Sequence, residues 1–284
     1  MQQEKKHIAI VCNPQAGNGK SLQVADKIVK SLKEQGIAHS IFTAYWPQVW
    51  DGMTQVWIVG GDGTLNYFIN QYADIEMPLS IFKGGTGNDF QELLYGTLSV
   101  EDQLEVILHN RIQFVDAGMC NEKLFLNGVG IGFDGAIVKD LLSKRKSKSK
   151  SSYLHSILKN ILGYREKKCA LHFDGKKLSQ DCFMINVANG NSYGGGFKVA
   201  PKASVEDGKL DLNIVGTIAA LKRFYYVPII EKGKHLQLSF IQYYQINKVE
   251  IICPLVLPAH MDGEYFEANE FLIECLPKRF SFLR

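Results

Sequence analysis

The sequence has no run of about 18 or more apolar residues, so nothing in it reads as a membrane-spanning helix. It has no CxxC pair: its six cysteines stand scattered at 12, 120, 169, 182, 253 and 275. That spacing argues against a zinc site and fits reduced thiols in a cytosol better than a disulfide framework. The opening MQQEKK leads into only a few apolar residues, so no secretory signal is expected. Acids are missing from residues 141–164, while residues 139–168 hold ten Lys and Arg against two Asp and Glu. The whole chain carries only +3, so this one segment holds all of the basic excess. Such a block marks a solvated surface or a contact with something anionic.

What is present is enough hydrophobic residue, 46% of 284, for one large domain or two modest ones. The first part alternates. HIAIVC, HSIFTA, QVWIV and PLSIFK read as strands, and KSLQVADKIVKSLKEQG, LNYFINQY and VEDQLEVILHN as helices. That alternation predicts an α/β layer with a mostly parallel sheet. Beyond about residue 112 short apolar runs are separated by turn residues, with DGKK and DGEY as hairpin signals and helices near 136–163 and 217–232. Two domains are expected, residues 1–118 as α/β and 119–276 as β.

Four glycine motifs suggest four chemistries. PQAGNGKS (14–21) ends like a P-loop, but Pro14 stands where its first glycine belongs. GIGFDG (130–135) matches a dinucleotide fingerprint, yet no acid follows at the required distance; a tight strand-to-helix turn is the simpler reading. GNSYG (190–194) resembles a nucleophile elbow, but GGFKVAPKA after it does not start a helix. GGDGT (60–64) is different. Gly60, Gly61 and Gly63 clear side chains from a strand-to-helix turn, where backbone N–H groups can converge on an anion. Asp62 would repel phosphate, so it holds a cation or orients a hydroxyl, or else it caps the helix.

Read together, NPQAG, GGDGTLN, GGTGNDF, NGVGIGFDG, NGNSYGGGFKVAPKASVEDGKLDL and HMDGE occur in an order that resembles the diacylglycerol kinase catalytic-domain family, in its soluble bacterial lipid-kinase branch. The resemblance runs from about residue 5 to the C-terminus; sphingosine and ceramide kinases are similar, and NAD kinases share only GGDGT. It implies an N-terminal α/β nucleotide-binding domain and a C-terminal β-sandwich lipid-substrate domain, with the active site in the cleft between them and residues 277–284 returning to the first domain. It implies ATP bound by Asn13, Thr43, Gly60, Gly61, Asp62, Gly63, Thr64, Asn66, Thr86 and Asn88. Asp62, Asp89 and Asp116 would form an acidic network around magnesium-bound water, and Glu264 would be the general base. Ser204, Asp207 and Lys209 would hold a structural Mg²⁺ through the Asp207 carboxylate and two backbone carbonyls. Several members place a lysine directly after the first loop's glycine; here Asn18 follows Gly17, and Lys20 comes later.

The implied reaction is transfer of the γ-phosphate of ATP to a lipid hydroxyl, diacylglycerol giving phosphatidic acid. Rival readings are an NAD kinase-like enzyme for a soluble acceptor and a non-catalytic lipid-binding protein on a kinase scaffold. A cytoplasmic protein that meets the inner face of the membrane is expected. Lys144, Arg145, Lys146, Lys148 and Lys150 would touch anionic lipid, and Tyr153, Leu154, Ile157, Leu158, Ile161 and Leu162 form an apolar stripe behind them. That stripe serves equally well as a core-facing helix. No nucleic-acid partner is expected, and edge strands leave a homodimer open.

Overall fold

The computed structural model describes residues 6–109, 111–143 and 150–284. The chain divides into two compact units, Met1–Val115 with Arg279–Arg284, and Asp116–Lys278.

The first unit runs β1 (His7–Cys12), α1 (Lys20–Glu34), β2 (Ala38–Phe42), β3 (Gln55–Gly60), α2 (Asp62–Gln71), β4 (Leu79–Lys83), α3 (Asp89–Tyr95) and α4 (Val100–His109). Its strands pair in parallel in the order β2-β1-β3-β4, and Phe282 adds a parallel bridge to Leu79. Every residue of β3 and all but His7 of β1 is buried. This explains why both read as unbroken apolar runs: helices cover both faces of a parallel sheet. Helix α1 buries Val24, Ala25, Ile28 and Leu32 at helical spacing. The strand order reverses between β1 and β3, and in open α/β sheets ligands bind beyond the carboxyl ends of strands at such a point.

The second unit contains most of β5 (Ile112–Cys120), then β6 (Lys123–Phe125), β7 (Gly128–Gly132), α5 (Phe133–Ser143), α6 (Lys150–Asn160), β8 (Lys167–Phe173), β9 (Lys176–Cys182), β10 (Met184–Ala188), β11 (Leu210–Val215), α7 (Ala220–Glu231), β12 (Ile241–Ile246), β13 (Lys248–Met261) and most of β14 (Glu264–Leu283). Its strands are antiparallel in the order β12-β11-β10-β7-β13-β14, and β13 also pairs with the β8–β9 hairpin. Val129, Ile131, Ile185, Val187, Leu212 and Phe271 share one apolar core. Phe133, Ile137, Ile157, Ile161 and Val227 build a second one from α5, α6 and α7. The expected hairpins form at Asp174-Gly175 and Asp262-Gly263, both with positive φ at the two turn residues.

Among the described residues no helix is long and apolar enough to cross a membrane. All six cysteines are free thiols, and five are buried. Two features differ from the sequence reading. Helix α3 was not expected, and the 153–162 stripe divides: Tyr153, Ile157 and Ile161 are buried, whereas Leu158 and Leu162 are exposed.

Candidate active site

Three loops leave the carboxyl ends of β1, β3 and β4, and short backbone contacts lock them together. Gly84 N donates to Gly60 O at 2.8 Å, Asp62 N to Gly87 O at 3.0 Å, and Asn13 N to Val59 O at 3.1 Å. Asn13 Nδ2 donates to Thr64 Oγ1 at 3.2 Å, and Ser21 Oγ to Asn13 O at 2.5 Å. At Gly61 a Cβ would run into the carbonyl of Gly87 and the Cα of Gly85. The glycine is therefore required by the neighbouring loop as well as by whatever the loop binds.

The Asp62 carboxylate faces that neighbouring loop. Its Oδ2 accepts from Asp89 N at 2.9 Å and its Oδ1 from Phe90 N at 3.0 Å. It thus caps α3, satisfying amides that have no partner within their own helix. Asn88 closes on its own loop, accepting from Gly85 N at 3.0 Å and donating to Gly85 O at 2.9 Å. Thr64, Asn88 and Asp89 are buried, whereas Gly63 and Thr86 are exposed. Asn13, Gly60, Gly61, Asp62, Thr64, Asn88 and Asp89 are thus brought together. Asn66 sits further along α2, where its carbonyl accepts from Asn70 Nδ2, and Thr43 follows β2, half-buried. Lys20 opens α1 with its side chain exposed.

In the second unit Glu264 is exposed and pairs with Met261 across the Asp262-Gly263 turn. The turn is not a free hairpin end. Asp262 accepts the N–H groups of Leu126, Asn127 and Gly128, each at 2.9 Å. On the other side His260 Nε2 lies 3.0 Å from Asp134 Oδ2, and both residues are buried. Asp134 also accepts from Tyr153 Oη at 2.7 Å and Tyr193 Oη at 2.5 Å. Burial works to raise the Asp134 pKa. The His260 charge and hydrogen bond and the two hydroxyls outweigh it, so the carboxyl titrates below its ordinary range. Burial and then the Asp134 charge push Tyr193 well above its ordinary value, which keeps it a proton donor. Gly130 makes room for this pair, because a Cβ there would meet the Asp134 carboxylate and the His260 ring. GIGFDG is therefore a tight turn of the kind expected, built to pack side chains instead of a dinucleotide. GNSYG contains the buried Tyr193 in a loop that bridges to Phe197, with no helix after it.

The diacylglycerol kinase catalytic domain family model matches residues 7–120, and the YegS C-terminal NAD kinase beta sandwich-like domain model matches residues 127–284, more than half of the chain. This chain belongs to the diacylglycerol kinase and YegS-like lipid kinase family. It is 25% identical to a diacylglycerol kinase of Mycobacterium tuberculosis over 98% of this chain and 94% of that one. It is 30% identical to a "Probable lipid kinase YegS-like" protein of Chromohalobacter salexigens over 80% of this chain and 74% of that one. A crystal structure of a diacylglycerol kinase from Bacillus anthracis matches the fold with a TM-score of 0.74 at 22% identity, covering 98% of this chain and 96% of that one. An NAD kinase from Archaeoglobus fulgidus in complex with ATP shares the fold more distantly, with a TM-score of 0.57 at 15% identity, covering 98% and 93%.

In this family member Asp116 is fully buried. Its Oδ1 accepts from Lys278 N and its Oδ2 from Gly208 N, both at 2.7 Å. Asp116 therefore clamps the 204–209 turn. Within that turn Asp207 Oδ1 accepts from Lys209 N at 3.0 Å and Oδ2 from Gln245 Nε2 at 3.1 Å, while Lys209 Nζ reaches Asn247. Among the described residues no three His, Cys, Asp or Glu gather as metal ligands. A site of one carboxylate and two carbonyls does not need such a group, and each Asp207 oxygen keeps a lone pair. Asp211 lies nearby, buried, with neither oxygen in a hydrogen bond of normal geometry. Burial, with the Asp207 charge adding, pushes its carboxyl up to about 6. The Tyr243 hydroxyl opposes that rise, and the mutual repulsion of Asp207 and Asp211 is what a hard cation between them would relieve.

The second unit also holds an apolar cavity of about 70 Å³, lined by Ile137, Ile157, Phe183, Phe197, Val227 and their neighbours. Asp134, Tyr153, Tyr193, Arg223 and Tyr226 are the residues with polar groups in its lining. The buried half of the 153–162 stripe faces this cavity. Asp134, Tyr193, His260 and Asp262 were not singled out from the sequence, and Tyr153 only as part of the apolar stripe; Asp134 inside GIGFDG and the two residues before Glu264 were the available signals. Of the basic arm, Lys144, Arg145, Lys146 and Lys148 lie outside the described residues, and so does the side chain of Lys150.

Proposed function

We propose that this protein transfers the γ-phosphate of ATP to the free hydroxyl of diacylglycerol, giving phosphatidic acid and ADP. The observation that carries the reading is the apolar cavity with a polar cluster in its lining, in a chain of the lipid-kinase family. Such a pocket suits an acceptor with a hydrocarbon body and a hydroxylated head, and it disfavours the polar acceptor of an NAD kinase. The relative from M. tuberculosis that bears the name diacylglycerol kinase aligns over 98% of this chain, which favours that acceptor among lipids.

In this reading the loop Gly60–Thr64, at the start of α2, presents backbone N–H groups to the phosphates, and Asn13, Thr43, Asn66, Thr86 and Asn88 complete the nucleotide site. Mg²⁺ bound with the nucleotide would supply positive charge beside the transferring phosphoryl group. Asp62 and Asp89 order the loop pair, and with Asp116 they would orient water around that ion. Glu264 takes the proton of the acceptor hydroxyl as its oxygen attacks phosphorus; the bond from the γ-phosphorus to the bridging oxygen breaks, and ADP leaves. Ser204, Asp207 and Lys209 would hold a separate structural Mg²⁺. The basic arm Lys144–Lys150 would draw the enzyme to an anionic membrane from the cytoplasmic side.

The deciding experiment is labelled ATP and Mg²⁺ with diacylglycerol, a sphingoid base, ceramide, a polyprenol and NAD, the lipids in anionic mixed micelles. Label should appear in phosphatidic acid. Label only in NADP would reverse the reading in favour of a soluble acceptor. ATP binding without turnover on any acceptor would favour a non-catalytic lipid-binding protein.

A further inference from the structure

Helices α6 and α7 each turn one apolar face inward and another outward. Inward, Tyr153, Ile157 and Ile161 of the α6 segment and Tyr226, Val227 and Ile230 of α7 line the same cavity. Outward, α6 carries Leu158 at 46% exposure, and Leu162 follows one turn later at 44%. On α7, Leu221 is 80% exposed, Tyr225 70% and Phe224 37%, at positions that share one helical face. A helix packed on a soluble core ordinarily buries one stripe and presents polar residues on the other side. Here both sides are apolar.

The buried Arg223 ties the two helices together at one end. Its Nη1 donates to Ile161 O at 2.7 Å and Tyr164 O at 2.8 Å, and its Nη2 pairs with Glu166 at 2.7 Å. The outward residues therefore flank a fixed junction. Charge around them is mostly of one sign, the half-buried Glu231 at the end of α7 being the exception on that helix. Residues 150–165 and 217–230 contain no acid. Lys222, Arg165, Lys168, Lys232 and Lys234 are exposed, while the nearby acids Asp140 and Glu166 are engaged by Lys159 and Arg223.

We propose that the outward face of α6 and α7 is the surface by which this lipid kinase docks on an anionic bilayer, Leu158, Leu162, Leu221, Phe224 and Tyr225 entering the interfacial layer and the lysines meeting lipid phosphates. The inference rests on the lipid-acceptor reading and extends it to a surface other than the basic arm. Leucine and aromatic side chains flanked by lysine are the composition that lies in the headgroup and acyl boundary. The cavity lined by the inner faces of the same helices gives that docking a use: a lipid leaving the bilayer meets apolar surface on both sides of the pair.

The test uses the full chain without nucleotide and large vesicles of mixed phosphatidylglycerol and phosphatidylcholine, with co-sedimentation and the Tyr and Trp emission shift as readouts. Wild type should bind, and binding should weaken with salt. Leu221→Glu, Tyr225→Glu and Leu158→Glu should each lower vesicle affinity by about tenfold or more, the loss expected when one large apolar side chain leaves the interface. Their melting temperatures should stay unchanged, because all three sites are exposed; Leu221→Ser repeats the test if a glutamate variant fails to fold. Unaltered vesicle binding in these variants overturns the proposal, as does a wild type that does not bind these vesicles. So does a wild-type dimer in sedimentation velocity that Leu221→Glu converts to monomer with vesicle binding intact, since a second copy then covers the face. Turnover on short-chain diacylglycerol below its micelle concentration reports the kinase reading separately. Its failure with intact vesicle binding rejects the acceptor and leaves the docking face standing.

Discussion

Asp62 Oδ2 accepts the backbone N–H of Asp89 at 2.9 Å, and the second oxygen of the same carboxylate accepts the next amide, Phe90 N. One acid thus holds the start of α3 against the loop that opens α2, and its substitution removes structure and chemistry together. Asp62→Ala loses both acceptors. Hydrogen bonds to a charged group are worth roughly 1.5–3 kcal/mol each, so the melting temperature should fall measurably as well as the turnover. Asp62→Asn keeps one acceptor and should recover much of the stability. If Asp62 also acts toward metal-linked phosphate, Asp62→Asn stays slow although it is folded. Full activity in a stable Asp62→Asn would confine Asp62 to capping.

Gly61 makes a second prediction with a control two residues away. A side chain at Gly61 would meet the Gly85 and Gly87 backbone, whereas Gly63 is exposed on α2. Gly61→Val should cost about 1–3 kcal/mol, the usual cost of overpacking, and should displace the loop from the phosphates. Gly63→Ala should leave the stability within about 0.5 kcal/mol of wild type, as for exposed sites. Isothermal titration with ATP then separates the two roles. Loss of ATP affinity in a stable Gly63→Ala places the nucleotide against this turn; unchanged affinity there would point to binding elsewhere.

Glu264 and Asp262 stand two residues apart and should fail differently. Glu264→Gln removes a proton acceptor from an exposed position. Turnover should drop by roughly 10²–10⁴-fold with ATP affinity and melting temperature unchanged. Asp262→Ala leaves three buried amides without their acceptor and should lower stability first. Steady-state rates set beside thermal melts check this. Near-normal turnover in Glu264→Gln would leave the base unassigned.

These contrasts show what the sequence could and could not carry. The parallel sheet was legible because β1 and β3 are buried on both faces and so lack any polar alternation. The hairpin turns were legible because Asp-Gly with positive φ at both positions is a local requirement. Helix α3 was not, because seven residues are too few for a periodic signal and its cap comes from Asp62, far back in the chain. The grip of Asp262 on the amides of residues 126–128 is equally non-local. The glycines of GGDGT were read as clearing space for an anion. What approaches Gly61 in the fold is the Gly85–Gly87 backbone, which a composition rule does not name. For the 153–162 stripe the core-facing reading holds for Tyr153, Ile157 and Ile161, whereas Leu158 and Leu162 turn outward about a quarter-turn away.

The buried pair of Asp134 and His260 makes a pH prediction whose sign is set. Asp134 titrates below its ordinary value of 3.8: burial opposes this, but the His260 charge and three hydrogen bonds prevail. A carboxylate with a lowered folded pKa contributes stability that is fully present above its unfolded value and is lost as pH falls through the folded value. Asp134→Asn removes one partner of a buried pair and should cost about 3–5 kcal/mol at neutral pH. Urea unfolding of both proteins across the acid range reads the difference. The gap due to the carboxylate should hold down to about pH 4 and narrow only below it, as wild-type Asp134 becomes protonated. Tyr193→Phe, which deletes one hydroxyl from the same carboxylate, should raise the Asp134 pKa, so that the gap is smaller and its closure is complete at a higher pH. A gap that closes well above pH 4 in wild type would mean that Asp134 is not held in its charged form by these partners.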